Sequence, residues 1–150
     1  MTEKSTIHAS AVLVGAKAAL VRGPAGCGKS SLVWELLQAA AQGALPFARL
    51  VADDRAYIET CGGRLVVRTA EALAGMLEIR GLGIRRLSYE PIAVVGLVID
   101  LAAADAERYP AAETQKAGIH GIMLPRLAVA PGQPPLGMAL AYLGTRPTAN

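Results

Sequence analysis

The chain has 150 residues, of which 53% are apolar and 18% charged, so it is long enough for one domain with a sizeable core and too apolar to be disordered. Its net charge of +3 comes without a long Lys/Arg run, and only 4% of residues are aromatic, so nucleic-acid binding is not expected; the mild excess suits a phosphorylated or acidic partner as well. Met1-Thr2-Glu3-Lys4 does not read as a secretory leader, and no apolar run reaches the ~20 residues that span a bilayer, so the expected setting is cytoplasmic, without membrane insertion.

With few aromatics, the core must be built from Ala, Leu, Val and Ile, which suits an α/β fold with a largely parallel sheet under helices. Residues 7–14 read as a first strand that includes His8. Gly15-Ala16-Lys17 reads as a turn and 18–21 as a second strand, the two forming a hairpin. A strand histidine is by itself usually structural.

The next stretch, Gly23-Pro24-Ala25-Gly26-Cys27-Gly28-Lys29-Ser30, fits the phosphate-loop pattern G-x-x-x-x-G-K-S/T at every fixed position. Its surroundings fit too, with a strand running in and a helix over 31–41 running out. Loop amides can surround two phosphates, and the helix N-terminus adds positive potential. Lys29 can reach the outer phosphates, the Ser30 hydroxyl can ligand Mg²⁺, and Ser31 extends the binding stretch into the helix. Cys27 reads as a small side chain at a variable loop position. It and Cys61 have no metal-motif spacing, and a disulfide between them reads poorly.

Leu32, Val33, Leu36 and Leu37 give the helix an apolar face, with Gly43 near its stop and Pro46 in the connector. Leu50-Val51-Ala52 then ends in Asp53-Asp54. One such carboxylate can hold Mg²⁺ and the other accept a proton from an attacking hydroxyl; the plainer alternative is a polar turn or cap. Residues 56–60 and 64–68 flank Cys61-Gly62-Gly63 as a hairpin, and 70–77 contains a short helical stretch. In Leu77-Glu78-Ile79-Arg80-Gly81-Leu82-Gly83-Ile84, Glu78 and Arg80 alternate with apolar residues and can share one strand face. They can serve metal and phosphate, or pair with each other near a bend. Residues 92–101 form the strongest later strand, His120 reads as a loop residue, 124–129 as a final strand and 136–143 as a helix before a flexible tail.

Ile7-His8-Ala9-Ser10, Val51-Ala52-Asp53-Asp54 and the segment from Leu77 to Ile84, ordered around the phosphate loop, resemble the catalytic domain of the HPr serine kinase/phosphorylase family. The resemblance implies one catalytic domain over 1–150, with a phosphate-loop fold related to phosphoenolpyruvate carboxykinases. It implies ATP-dependent phosphorylation of a serine on HPr or an HPr-like phosphocarrier, with Mg²⁺ and with weak reverse phosphorolysis. Asp53 would transfer the proton, His8 support it, and Lys29 and Arg80 organise the phosphates. Gly23 to Ser31 would bind nucleotide, and Ser30, Asp54 and Glu78 would serve the metal. Ala25 stands where the family often has serine, and Pro131-Gly132-Gln133-Pro134 replaces a basic Pro-Gly-Arg-Asn-like segment. The competing reading is a nucleotide-dependent regulatory or binding protein without HPr kinase activity. Homo-oligomerisation stays open.

Overall fold

The computed structural model describes residues 4–148, so the readings of the first three residues and of the end of the tail fall outside the described residues. β1 (Lys4–Ile7), β2 (Ala9–Val14), β3 (Lys17–Arg22) and α1 (Lys29–Ala41) open the chain. β4 (Ala48–Ala52), β5 (Ala56–Cys61), β6 (Arg64–Thr69), β7 (Met76–Ile79), β8 (Gly83–Arg86) and β9 (Ile92–Asp100) follow. β10 (Lys116–Ile119), β11 (Ile122–Ala128) and α2 (Pro135–Gly144) close it. Short 3₁₀ turns cover Glu71–Leu73 and Ala112–Gln115.

The main sheet has the order β1-β5-β6-β9-β3-β2-β4, with β11 also on β9 and β10 on β11. β3 and β11 run parallel to β9; every other pair within this sheet is antiparallel. The expectation of a largely parallel sheet is therefore corrected to a mixed, mostly antiparallel one. Aliphatic runs report burial on both faces, not strand direction. Along β3, Ala18 and Leu20 face one core while Ala19 and Val21 face the other. Helices cover one face through Leu32, Val33 and Leu36 of α1 and Ala139 of α2. The other face is covered by strand residues such as Ile58, Leu65, Val67, Ile119 and Leu124.

The 2–3 hairpin forms as read, with Leu13 opposite Ala18. His8, however, sits at a bend between β1 and β2 rather than within a strand, because β1 leaves β2 to pair with β5. α1 begins two residues earlier than read, at Lys29. It ends in a Schellman motif: Ala44 N–H donates to Ala39 O and Gly43 N–H to Ala40 O, with Gly43 at φ +87°. The helical stretch read over 70–77 shrinks to the 3₁₀ turn, since Met76 already begins β7. β10 had no reading in the sequence; four residues next to a turn carry too weak a period to register.

Candidate functional site

Strand direction gathers the site. β2 is antiparallel to both β3 and β4, so β3 and β4 end where β2 begins. Ala9 of β2 lies opposite Arg22, and Ala11 opposite Ala52. His8 and Ser10, the phosphate loop after Arg22, and Asp53-Asp54 therefore share one edge of the sheet. The carboxyl ends of parallel strands such as β3 and β9 are where open α/β sheets place ligands.

Gly23 turns the chain out of β3 at φ +154°. A Cβ there would come within 2.5 Å of Cys27 Sγ and 3.1 Å of Leu101 O, so a side chain has no room. Cys27 packs inward against the helix-side core, in keeping with a space-filling role. Lys29 is 5% exposed. Its Nζ donates to Gly23 O at 2.9 Å and Pro24 O at 3.3 Å, and lies 3.9 Å from Asp54 Oδ1. The first amides of α1 have no carbonyl one turn back and point toward the loop.

The two carboxylates have different surroundings. Asp53 Oδ1 accepts hydrogen bonds from Ser10 Oγ at 2.9 Å and Ser30 Oγ at 2.6 Å. Asp53 Oδ2 accepts one from the Glu78 amide at 3.0 Å. Asp54 sits at φ +62° and is about 60% exposed, with His8 Nδ1 3.3 Å from its Oδ1. Its amide donates to Ser10 Oγ at 3.0 Å. The wholly buried Ser10 thus locks both aspartates to the start of β2.

A cleft of about 570 Å³ opens over these groups. Ala25, Gly26, Gly28, Lys29, Ser30 and Ser31 form its loop side, with Asp53 and Asp54 at its floor. Glu78 and Arg80 both line it, but they do not share a strand face: β7 ends at Ile79 and Arg80 begins the turn. Gly23, Pro24 and Cys27 hold the loop's shape from outside the cleft lining, and His8 reaches the cleft only through Asp54. Sequence reasoning missed Ser10 as an anchor and Arg55 as a cleft residue. Arg55 directly follows the paired aspartates, which was the available signal. An apolar wall of Leu73, Met76 and Ile84 was missed as well.

Next to the loop lies a second polar assembly. Arg22 donates to both carboxylate oxygens of Asp100, at 2.7 and 2.8 Å. Arg126 donates to Asp100 Oδ2 at 2.5 Å, to both oxygens of Asp105 and to Thr114 O. Burial opposes ionisation of Asp100, but Arg22 and Arg126 outweigh it and hold its carboxyl below the ordinary range. The Arg126 hydrogen bonds likewise lower Asp105, and Asp105 and Asp100 together raise Arg126.

Among the described residues, no three His, Cys, Asp or Glu side chains form a self-contained metal cage. Mg²⁺ seldom needs one; it takes one or two protein oxygens together with phosphate and water oxygens. Ser30 Oγ and Asp53 Oδ1 at the mouth of the loop are hard oxygen donors of that kind, and Glu78 lines the same cleft. The residues present therefore fit the ion. Among the described residues, no helix is long and apolar enough to cross a membrane.

Comparison with known proteins bears on this arrangement. The chain is 34% identical over 84 residues to an HPr kinase/phosphorylase of Clostridium beijerinckii, a match covering 56% of this chain and 26% of that protein. A Clostridium perfringens HPr kinase/phosphorylase is 36% identical over 84 residues, covering 56% of this chain and 25% of its own length. These matches span about a quarter of the relatives' length. The fold is similar to that of the Hpr(Ser) kinase/phosphatase from Coxiella burnetii, with a TM-score of 0.75 at 20% identity over 93% of this chain and 88% of that one. The family model of the HPr serine kinase C-terminal domain matches residues 1–129, and the chain belongs to that family.

Proposed function

We propose that this chain transfers the terminal phosphoryl group of ATP to a serine hydroxyl of HPr or an HPr-like phosphocarrier. One observation carries the reading: Lys29, Ser30 and two adjacent carboxylates meet at one cleft, one carboxylate engaged by Ser30 and the other by His8. Lys29 leaves the Gly23 and Pro24 carbonyls for the phosphate oxygens, and the loop amides receive the remaining charge. Ser30 Oγ and the Asp53 carboxylate, with Glu78 on the same wall, would hold Mg²⁺, which would supply neutralisation of phosphate charge. Arg80 and Arg55 add positive charge at the outer end.

The surroundings favour Asp54 over Asp53 for the proton. Asp53 already accepts three hydrogen bonds, two from serine hydroxyls and one from a backbone amide. Asp54 is open to an incoming hydroxyl and is oriented by His8. This exchanges the two roles implied by the resemblance. In this reading Lys29 and Ser30 keep their roles toward phosphate and metal, and His8 supports Asp54 rather than Asp53.

A second reading, a nucleotide-dependent regulator, draws on Gln133. Its side chain accepts from the Ala130 amide at 3.4 Å and does not line the cleft. The same feature favours weak phosphorolysis. Incubation with γ-labelled ATP, Mg²⁺ and HPr decides between the readings. Label on the HPr serine, absent from a Ser→Ala acceptor, supports the kinase. Saturable nucleotide binding without transfer supports the regulator.

A further inference from the structure

Among the described residues, β7 and β8 pair with each other and with no other strand. Leu77 is fully buried and, with the partly buried Ile79, packs toward α1, which fixes the hairpin's inner face. Met76 and Glu78 point the other way, into the cleft, and Glu78 lies opposite Ile84. Ile84 lines the cleft yet is 65% exposed, and Leu82 at the tip is 64% exposed without lining it. The apolar surface therefore begins inside the cleft and continues past its rim. Leu82 N–H donates to Ile79 O at 2.9 Å, and the flanking Gly81 and Gly83 take φ +89° and +90°, so the tip is a formed turn.

The charge on this hairpin is one-sided. Arg80, Arg85 and Arg86 stand against Glu78 alone. Among the described residues, none of these arginines makes a side-chain hydrogen bond or ion pair. Exposed aliphatic residues ringed by unpaired arginines match a protein surface that is apolar at its centre and acidic at its edge. A second copy of this chain is a poor occupant, since the chain is itself net positive at +3 and would bring like charge. A nucleoside would not reach a tip outside the cleft.

The geometry points to β7–β8 as the docking surface for the protein phosphoacceptor, with Leu82 and Ile84 as apolar contacts and Arg85 and Arg86 reading acidic residues beside the acceptor serine. This rests on the proposed kinase reading and names where its substrate sits. Docking here places the acceptor along the cleft wall that holds Glu78, whose amide bonds Asp53. The serine is thereby presented to the phosphate-loop end of the same cleft.

The test uses Arg85→Glu/Arg86→Glu and, separately, Leu82→Ser, none of which lines the cleft. HPr binding is measured by calorimetry with a non-hydrolysable ATP analogue and Mg²⁺, and HPr KM by labelled transfer. The double charge reversal is expected to weaken HPr binding and raise KM by about tenfold or more, and to flatten the salt dependence seen in the parent chain. Leu82→Ser should raise KM without altering salt dependence. Nucleotide affinity should be unchanged in both. Unchanged HPr affinity in the variants overturns the proposal, as does a parent chain that does not bind HPr. Loss of nucleotide affinity would assign the hairpin to the nucleotide, and an oligomer dissolved by Leu82→Ser would assign it to a second copy; either result overturns it. HPr that binds the hairpin but receives no phosphate would keep the dock and defeat the kinase reading instead.

Discussion

Two polar assemblies meet at the carboxyl end of β3, separated by a single peptide bond. Arg22 belongs to one and Gly23 opens the other. In the first, a bidentate Arg22–Asp100 pair and a bridging Arg126 tie β3, β9 and β11 together with fixed geometry. In the second, Lys29 rests on backbone carbonyls and Ser30 on a carboxylate, by bonds that phosphate oxygens and a metal ion, respectively, could replace. A strand end can thus anchor with one side chain and present a loop with the next residue. The anchored assembly holds the position; the exchangeable one lines the cleft.

The contrast is tested most severely at Lys29. Lys29→Ala should reduce phosphoryl transfer on the order of 10⁴-fold, because loop amides cannot replace a mobile cation on the outer phosphates. The fold should survive, since Lys29 bonds carbonyls of its own loop and, beyond them, pairs at 3.9 Å with the largely exposed Asp54. Single-turnover kinetics of the folded variant provide the check. Near-parental transfer would show that the loop does not act on phosphate.

The aspartates come next. Asp54→Asn should slow transfer by about 10²–10³-fold, with normal metal dependence and no recovery in excess Mg²⁺. Asp53→Asn should instead raise the Mg²⁺ requirement and recover partly at high Mg²⁺, because it alters the partner of Ser30. Titrating Mg²⁺ at saturating ATP separates the two. The opposite pattern would return proton transfer to Asp53 and the metal to Asp54.

A smaller effect concerns direction. Forward transfer should exceed phosphorolysis by about tenfold or more, since Gln133 brings no charge to the cleft. Pyrophosphate release from serine-phosphorylated HPr at varied phosphate is the measurement. Equal rates in both directions would mean that Arg55 and Arg80 suffice for the entering phosphate.

How far these assemblies could be read in advance follows from their chemistry. A phosphate loop needs glycines and a lysine at fixed spacing, so Gly23 to Ser30 was legible before any fold. The paired aspartates were legible as a pair, but the difference in their surroundings was not, because Ser10 and Ser30 reach Asp53 from other elements. The Arg22–Asp100–Arg126 assembly left no sequence signal. Its members are 78 and 26 residues apart, each a lone charge at a strand end or within a strand. Sheet direction was misread because β9 and β3 are buried on both faces, and a strand layer rather than helices covers one of them.

The locked assembly supplies the smallest effect on chemistry and a separate one on stability. Asp100→Asn leaves two guanidinium groups without their shared carboxylate in a largely buried place, which should cost about 3 kcal/mol. Melting should fall by roughly 6–12 °C, while transfer per folded molecule changes by less than about threefold. The pH dependence fixes the cause. Asp100 is held below its unfolded value of about 3.9, so its contribution is fully present above that pH and fades as pH falls through the lower native value. Asp105 is shifted in the same direction by Arg126. Parent and variant should therefore differ by a constant amount above about pH 5 and converge below pH ~4, as the parent's carboxyl takes up its proton. Denaturant melts across that window measure the difference. A gap that widens on acidification would mean that Asp100 acts through packing rather than through its charge.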